Sequence, residues 1–263
     1  LKASELIIIF IAVTYLGNKS NKPIYFDVFF ILSSLFIPLI IFKSRGSGIA
    51  IVFYFLLQVI KYRYNFYQNK KRTAVLVFIF IILFSVFTNF LIDNSFTFED
   101  TDDEVAKLFL YRFNTSNTFD SNASFFYIKD NKIFSSDGNL NWRLQIWQEI
   151  IKSNTESKSV IFGIGFSDKI PIFENMKYSG LDGTNENPHN FLINIFARVG
   201  LFGLLIYFVY LFGLIKLFKS KHKNLDILTF FLPLVFVSLF DASFENPYFG
   251  IFLFMFLGIF LNL

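Results

Sequence analysis

The 263-residue sequence contains no cysteine, only two histidines and few charged residues. The absence of cysteine excludes disulfides, thiolate metal sites and a cysteine nucleophile. Since zinc sites need several cysteine or histidine ligands, a multi-histidine metal centre is not expected either. Charged residues make up 17% of the chain, whereas a soluble domain carries about a quarter. Apolar residues take their place: 54% of the chain is hydrophobic, and 41 residues are phenylalanine.

These apolar residues lie in long blocks, without the three- to four-residue rhythm of a surface helix. A block that is apolar on every side needs nonpolar surroundings, and a helix that crosses a bilayer needs about 20 such residues. We therefore predict an all-α integral membrane protein with about seven transmembrane helices, the first and third of them short. The predicted helices are Glu5–Gly17, Ile24–Phe42, Gly48–Ile60, Thr73–Ile92, Asn190–Phe218, Leu225–Phe240 and Pro247–Leu263.

The positions of Lys and Arg predict the orientation, because basic residues accumulate on the cytoplasmic side. The connections Lys61–Arg72 and Lys216–Asn224 hold five and four such residues, so both are expected in the cytoplasm. Residues 93–189, between them, are then extracytoplasmic and carry a net charge of −6, against +10 for the rest of the chain. The predicted organisation is residues 1–92 in transmembrane helices, 93–189 in one large loop containing short helices, and 190–263 in C-terminal transmembrane helices.

The chain begins with Leu1 instead of methionine, and no charged segment with a cleavage site precedes the first apolar block. Alternation of the predicted helices would place Leu1 on the outer side, an unusual start for a chain without a signal. We therefore expect the sequence to be part of a longer protein with further helices upstream.

The large loop is predicted to have two different parts. Residues 93–138, which include the acidic run Glu99–Glu104, are expected to form a solvated, mobile connector. Residues 139–152 are expected to form an amphipathic helix near the membrane surface, with Trp142 and Trp147 at the level of the headgroups. With Arg143 on its flank, this helix would carry an apolar stripe of Leu140, Leu144, Trp147 and Ile151.

The loop closes on Asn185–Asn190, immediately before a long apolar helix. Asn187 suits the N-cap and Pro188 the first helical position, which would place His189 in the first turn. There the helix dipole would keep the imidazole neutral, as a general base requires, and free N–H groups would accept an anion such as phosphate. A single histidine is more often structural than catalytic, but this position on the outer face favours a functional role.

A second isolated group of charges, Lys43–Ser47, joins two helices on the predicted outer side, where the positive-inside rule does not explain it. Two interpretations of Arg45 remain open. Its side chain extends to lipid headgroups, or its planar guanidinium binds the phosphates of a lipid-linked substrate. The other histidine, His222, lies among lysines in a predicted cytoplasmic connection and is expected to have no special role.

Three groups of motifs, in this order, resemble the superfamily of O-antigen ligases and Wzy-type O-antigen polymerases. The first is Ser44-Arg45-Gly46 at the start of a membrane helix. The second group lies in the loop and consists of Asn141-Trp-Arg-Leu-Gln-Ile-Trp147 and Phe162-Gly-Ile-Gly-Phe166. The third group is Pro188-His-Asn-Phe-Leu192 with Arg198-Val-Gly-Leu-Phe-Gly-Leu204. The resemblance covers most of the chain, and members of the superfamily usually have several more helices upstream.

The resemblance implies an all-helical, metal-independent glycosyltransferase of the bacterial inner membrane with its active site facing the periplasm. Its donor would be a glycan linked to undecaprenyl diphosphate. A ligase would transfer this glycan to a sugar hydroxyl of the lipid A core, and a polymerase to another lipid-linked glycan. Beyond these partners and membrane lipid, no nucleotide sugar, metal, other cofactor or nucleic acid is expected.

Carried onto this sequence, the resemblance assigns the catalytic roles to His189 and Arg143. His189 would accept the proton of the acceptor hydroxyl or orient that hydroxyl. Arg143 and Arg45 would hold the diphosphate and offset the charge on the departing group. Asp241–Asn246 is a candidate for lining the same cavity. Weaker candidates for sugar contacts are Glu186, Asn190 and Tyr178.

The alternative from a different class is a polysaccharide flippase or another transporter. Transporters place ionisable residues or broken helices near the middle of the bilayer. The predicted helices here contain few charges, with Asp27 and Arg198 as the main exceptions. A protein-directed oligosaccharide transferase and a structural scaffold are further alternatives, but a scaffold would leave Pro188 and His189 unexplained. Whether Arg143 and His189 meet is left open, since 46 positions separate them.

Overall fold

The computed structural model describes residues 3–19, 23–63, 69–95, 125–167, 169–175, 178, 185–221, 226–240 and 243–262. The chain divides into two compact units. The bundle comprises Leu1–Thr97 and Gly213–Leu263, and the loop unit comprises Phe98–Phe212. The described residues form α1 (Ala3–Lys19), α2 (Pro23–Lys43), α3 (Arg45–Lys61), α4 (Lys70–Ser95), β1 (Phe126–Lys129), β2 (Lys132–Ser135), α5 (Gly138–Glu156), α6 (Phe191–Lys221), α7 (Asp226–Val237) and α8 (Pro247–Asn262), with short 3-10 turns at Lys158–Val160, Pro171–Glu174 and Ser243–Glu245.

Each of the seven apolar blocks predicted to cross the membrane is helical, with ends within a few residues of the prediction. Three helices are long and apolar enough to cross a membrane by length and composition, namely Ile24–Phe42, Lys70–Leu91 and Phe191–Leu217. The other four are shorter apolar helices. A mainly helical membrane protein is therefore confirmed, while seven crossings and their orientation remain predictions.

Most apolar side chains of α4 point outwards instead of into a core. Only 6% of the Lys70–Leu91 span is buried inside the structure. Soluble proteins rarely expose so large a contiguous apolar surface, and such a surface marks contact with another apolar phase or partner. In a helix of this length, lipid is the natural partner. More than half of the side-chain surface is exposed at Val75, Phe78, Ile81 and Val86.

The bundle core is built largely from aromatic rings, and hydroxyl groups of two of its helices pair within it. Phe29 and Tyr54 are almost completely buried, and their rings meet edge to face with centroids 6.1 Å apart. The Tyr54 hydroxyl lies 2.7 Å from the hydroxyl of Thr14, which itself donates to the Phe10 carbonyl at 2.8 Å. Because an unpaired hydroxyl is costly in an apolar interior, these bonds fix how α1 packs against α3.

The isolated acid of α2, Asp27, has a structural partner. Arg72, near the start of α4, donates from Nε to Asp27 Oδ1 at 3.2 Å and makes a second bond from Nη2 to Oδ2. This two-pronged arrangement is the geometry in which arginine binds a carboxylate most strongly. Asp27 therefore links two helices of the bundle, which accounts for a charge that the sequence leaves unexplained.

The starts of α1 and α3 meet the connection between α7 and α8 at one end of the bundle. Glu5 of α1 is 5% exposed and accepts a hydrogen bond of 2.7 Å from the Asn246 side chain. Gly46 of α3 lies so close to Phe240 that an added Cβ would come within 2.6 Å of the Phe240 Cβ. The predicted topology assigns these three segments to the outer side. Residues 241–242 lie outside the described part of the chain.

In the loop unit, residues 125–137 form an ordered β-hairpin. The prediction of a mobile connector is therefore wrong for this part, while residues 96–124 lie outside the described chain. β1 pairs antiparallel with β2 over four residue pairs. Asp130 and Asn131 join the strands with φ values of 50° and 59°. Two successive positive φ values are typical of the tight turn whose twist matches that of a hairpin.

Side-chain amides of α5 hold the hairpin in place. The Gln148 amide accepts the Ile133 N–H and donates to the Ile133 carbonyl, both at 2.8 Å, as a neighbouring strand would. Asn141 Oδ1 accepts the Ser135 N–H at 3.1 Å. The open edge of β2 is thereby paired with a helix instead of with a third strand.

The amphipathic helix predicted at residues 139–152 is confirmed as α5, but it buries a different face. Trp142, expected at the level of the headgroups, packs in the core of the loop unit beside Phe173 and Ala197. The error arises because Asn154 is polar but buried, through bonds to backbone carbonyls. The buried face includes Trp142, Ile146, Ile150 and Asn154. The predicted apolar stripe is instead half-buried or exposed; it consists of Leu140, Leu144, Trp147 and Ile151.

α6 occupies the position of the long helix predicted at Asn190–Phe218, but it is interrupted at Gly200. The Gly200 φ of 69° and ψ of −161° lie in a region open to glycine and almost closed to other residues. The break separates a first half, Phe191–Val199, from a second half, Leu201–Lys221. The prediction of an uninterrupted helix is therefore wrong. The sequence does not reveal the break, because a glycine in an apolar run does not by itself predict one.

The hydrogen bonds lost at the break are made by the segment Ile161–Gly165. Ile164 and Gly165 donate N–H bonds of 3.0 and 2.9 Å to carbonyls of the turn before the break. In the other direction, the Phe202 N–H donates to the carbonyl of Ile161 at 3.0 Å. The irregular backbone is thus paired on both sides of the break, as burial or contact with lipid requires.

Two glycines permit this close approach. Gly163 and Gly200 both have a φ of 69° and face each other across the contact. A Cβ on Gly200 would overlap the Ile161 carbonyl, and one on Gly163 would overlap the carbonyl of Arg198. The two glycine motifs, distant in sequence, therefore form the two sides of one contact, which we call the glycine junction.

Replacement of Gly200 by alanine should destabilise the loop unit, since it combines a left-handed backbone with overlap at Ile161. Strain of this kind costs about 1–3 kcal/mol before the overlap is counted. Gly163→Ala should act in the same way. The matched control is Gly213→Ala in the same helix, where an added Cβ meets nothing within 4 Å. Thermal unfolding of the purified protein in detergent measures the effect; equal midpoints for Gly200→Ala and Gly213→Ala would contradict the junction.

Candidate active site

The N-cap of α6 lies three residues later than the sequence predicts. The helix begins at Phe191 and is capped by Asn190, whose side-chain oxygen accepts a backbone N–H of the first turn at 3.1 Å. Asn187 and Pro188, the predicted cap and first helical residue, therefore precede the helix. His189 lies immediately before the cap, not in the first turn. The prediction fails because Asn190 offers the same capping group one turn further on.

The backbone of His189 is held in a strained conformation. Its φ is 53°, a left-handed value that is uncommon for residues other than glycine and costs about 1–3 kcal/mol. Asn187 stabilises this conformation, since its Oδ1 accepts the His189 N–H at 2.7 Å. Such strain persists only where surrounding contacts impose it, and it is frequent at functional sites.

Two tryptophans of α5 contact the same segment. The Trp147 indole Nε1 donates to the Pro188 carbonyl at 2.7 Å. The Trp142 ring lies beside the imidazole of His189, with ring centroids 5.8 Å apart and planes inclined by 50°. One contact fixes the peptide before His189 and the other limits the movement of its ring, so α5 determines where the imidazole lies.

Helical geometry places Arg143 between these tryptophans. Successive residues are about 100° apart around a helix axis, so Arg143 lies about 100° from Trp142 and about 40° from Trp147, inside the sector that they bound. Arg143 is half-buried, and its Nε atom is shielded from solvent. Because both tryptophans contact residues 188–189, we expect the helix face that carries Arg143 to lie towards this segment.

Tyr178 and Glu186, predicted to contact sugars, lie in the same unit. Tyr178 is half-buried against the core that contains Trp142. Burial, and then the nearby carboxylate of Glu149, raise the pKa of the Tyr178 phenol above its ordinary value. The phenol is therefore protonated at neutral pH and able to donate a hydrogen bond. Glu186 is exposed and forms an ion pair of 3.4 Å with Lys169.

The other two predicted contacts, Asn190 and Arg45, lie at helix starts. Asn190 is 9% exposed, and its side-chain oxygen is already used as the cap of α6. Arg45 is the first residue of α3, which Ser44 caps by accepting the Ser47 N–H at 3.4 Å. The motif Ser44-Arg45-Gly46 thus opens a helix, as predicted. Arg45 belongs to the bundle, and its side chain lies outside the described part of the structure.

Two structural roles in the loop unit are missing from the sequence prediction. Trp147 fixes the peptide before His189; its spacing of four residues from Arg143, which places both on one helix face, is a signal for this role. Asn154 donates to the carbonyls of Phe196 and Ala197 at 3.0 and 3.3 Å and so ties α5 to the break in α6. Nothing in the sequence distinguishes Asn154 from the other asparagines of the loop.

The apolar helices are those of a membrane protein, and the contacts of α5 with residues 188–189 define a candidate site in its loop unit. A family model described as O-antigen ligase matches residues 28–208, more than half of the chain. The chain therefore belongs to the O-antigen ligase family, and its general activity is that of a ligase- or polymerase-type glycosyltransferase of polysaccharide biosynthesis. The match includes all three groups of motifs, so the resemblance is confirmed. No curated protein and no solved structure matches significantly.

The Trp147 contact can be tested by Trp147→Phe, which keeps an aromatic ring but removes the N–H that holds Pro188. Loss of one such bond costs about 0.5–1.5 kcal/mol, so transfer activity should fall by about two- to tenfold if this bond positions His189. Lys152→Ala, on the exposed side of the same helix, is the control and should have little effect. Glycan transfer in membranes, at matched protein levels, measures the difference; wild-type activity of Trp147→Phe would exclude the positioning role.

Proposed function

We propose that this protein moves a glycan from undecaprenyl diphosphate to an acceptor sugar hydroxyl at the periplasmic face of the bacterial inner membrane, without a metal. Membership of the family supports the general activity. The proposal rests chiefly on one observation, the contacts of Trp142 and Trp147, which flank Arg143 on α5, with His189 and Pro188. A guanidinium suited to a diphosphate, beside an imidazole suited to a hydroxyl proton, is the pair of groups that such a transfer needs.

In the proposed reaction, the acceptor hydroxyl oxygen forms a bond to the anomeric carbon of the donor as the bond from that carbon to the diphosphate oxygen breaks. The electron pair leaves with undecaprenyl diphosphate, and Arg143 offsets the developing negative charge. His189 accepts the hydroxyl proton. Since the diphosphate already activates the donor, the main task of the protein is to position two lipid-bound molecules.

The fixed backbone of His189 supports its role as the base. An imidazole that is held before the substrate arrives loses little freedom on binding, so the hydroxyl meets it in one orientation. Tyr178 is proposed to donate a hydrogen bond to a sugar oxygen, and Glu186 and Asn190 to make weaker sugar contacts. For Arg45, in the bundle, phosphate binding also remains a proposal.

The acceptor is proposed to be the lipid A core if the protein is a ligase, or another lipid-linked glycan if it is a polymerase. Both reactions use the same arginine and histidine, so these residues do not distinguish them. The segment that contains the acidic run Glu99–Glu104 is a candidate for selecting the acceptor, because no family motif lies in it.

A flippase is the second candidate, and the contacts of the isolated charges argue against it. Asp27 pairs with Arg72, and Arg198 donates from Nη1 to the Gly165 carbonyl at 3.3 Å. Both charges thus have structural partners within the protein. The broken helix α6 is a feature found in transporters, but in this chain the segment Ile161–Gly165 occupies the backbone groups that the break exposes.

Removal of either proposed catalytic group should abolish transfer. In cells that lack their own enzyme and express the full-length protein, His189→Asn and Arg143→Gln should lower the rate by about 10²–10⁴-fold. Asparagine is chosen for position 189 because it tolerates a left-handed backbone and removes only the imidazole. Arg63→Gln, in an exposed and predicted cytoplasmic connection, is the matched control and should leave product formation unchanged.

The readout is the length of the surface glycan and the amount of undecaprenyl-linked donor, at equal membrane levels of each variant. Donor accumulation on the periplasmic side supports the transferase, and the length of the stalled chains separates a polymerase from a ligase. Normal product from both variants would refute the assigned site. Donor retained on the cytoplasmic side would identify a flippase instead.

A further inference from the structure

The segment Phe162-Gly-Ile-Gly-Phe166 presents two large apolar side chains to the outside of the loop unit. Phe162 is 68% exposed and Phe166 is 78% exposed. Ile161, immediately before them, is 53% exposed. Three strongly exposed apolar side chains within six residues are unfavourable in water, and exposed apolar surface of this kind is found where a protein contacts a membrane or another protein.

The backbone of this segment is already prepared for nonpolar surroundings. The Gly163 N–H donates to Ser159 at 2.6 Å, and the next two N–H groups donate to carbonyls of α6. The Gly165 carbonyl accepts from the guanidinium of Arg198 at 3.3 Å. Irregular backbone is tolerated at membrane depth only where the protein itself satisfies its polar groups, and the N–H groups of residues 163–165 meet that condition.

The same segment lies against the helix at the point where its apolar run begins. The Phe162 and Phe202 rings are 5.8 Å apart, and Phe202 donates to the Ile161 carbonyl at 3.0 Å. The second half of α6, Leu201–Lys221, has about the 20 residues that a membrane crossing requires. Its first two turns expose Leu201 and Leu205, which places the start of the lipid-facing surface at the level of the segment.

From these observations we infer that Phe162 and Phe166 insert into the bilayer beside the start of the second half of α6. There the two side chains contact lipid acyl chains just below the headgroups, in the leaflet where the second half of α6 enters the membrane at Leu201. The glycine junction then has a second role, because it supports two inserted aromatic side chains and supplies bonds to the backbone between them. This inference depends on the membrane crossing of α6 and not on the proposed transfer reaction.

The absence of cysteine from the sequence allows a direct test. Single cysteines at Phe162 and Phe166 are labelled with a nitroxide, and the reconstituted protein is studied in phosphatidylcholine–phosphatidylglycerol vesicles. For each nitroxide, we compare its accessibility to oxygen, which concentrates in lipid, with its accessibility to a nickel chelate, which stays in water. Leu205→Cys, 61% exposed in the second half of α6, is the lipid control, and Asn139→Cys, exposed at the far end of α5, is the water control.

The inference predicts that labels at positions 162 and 166 gain access to oxygen and lose access to the nickel chelate, as the label at position 205 does. Accessibility to nickel equal to that at position 139 would show that the segment lies in water. Protection from both reagents would show that protein covers it, either further helices of the same chain or a partner. Either result overturns the inference, whatever the outcome for the transfer reaction.

Discussion

Backbone hydrogen bonding at Gly200 is the constraint on which the loop unit depends. A helix broken in nonpolar surroundings must find new partners for the groups that the break exposes, and here the segment Ile161–Gly165 supplies them. This pairing requires two backbones at a distance that only glycine allows, at positions 163 and 200. Asn154 adds two bonds to the same turn and so brings in α5. Through α5, the requirement extends to the two tryptophans that hold His189.

Much of this architecture is predictable because it follows from local composition. The seven apolar blocks, the helix at 139–152 and the capped helix at Ser44 depend mainly on patterns within one segment, and the structure confirms each as a helix. The motifs also identify the family, since their order is a property of the sequence alone. Local patterns do not determine which helices cross the membrane or in which direction, because crossing and orientation also depend on the bilayer.

The features that escape prediction depend on contacts between segments. The buried face of α5 cannot be read from apolarity, because Asn154 is buried to bond the backbone of another helix. The left-handed backbone of His189 is imposed by Asn187 and by contacts with α5, more than 40 positions earlier. A capping asparagine at 190 competes with one at 187, and tertiary packing selects the later one. The sequence therefore identifies the candidate residues, and the fold decides which of them meet.

The first half of α6 also acts as a spacer of defined length. Its nine residues, from Phe191 to Val199, extend about 14 Å at 1.5 Å per residue. The inferred entry of α6 into the membrane at Leu201 would then place His189 no more than about this distance above the lipid. The diphosphate of a lipid-linked donor is confined to the headgroup layer, so a carrier lipid presents its first sugar at a nearly constant height. In the proposed reaction, the helix segment between Gly200 and His189 would set the imidazole at the height of that sugar, and lengthening the segment by one turn would carry the proposed base past it.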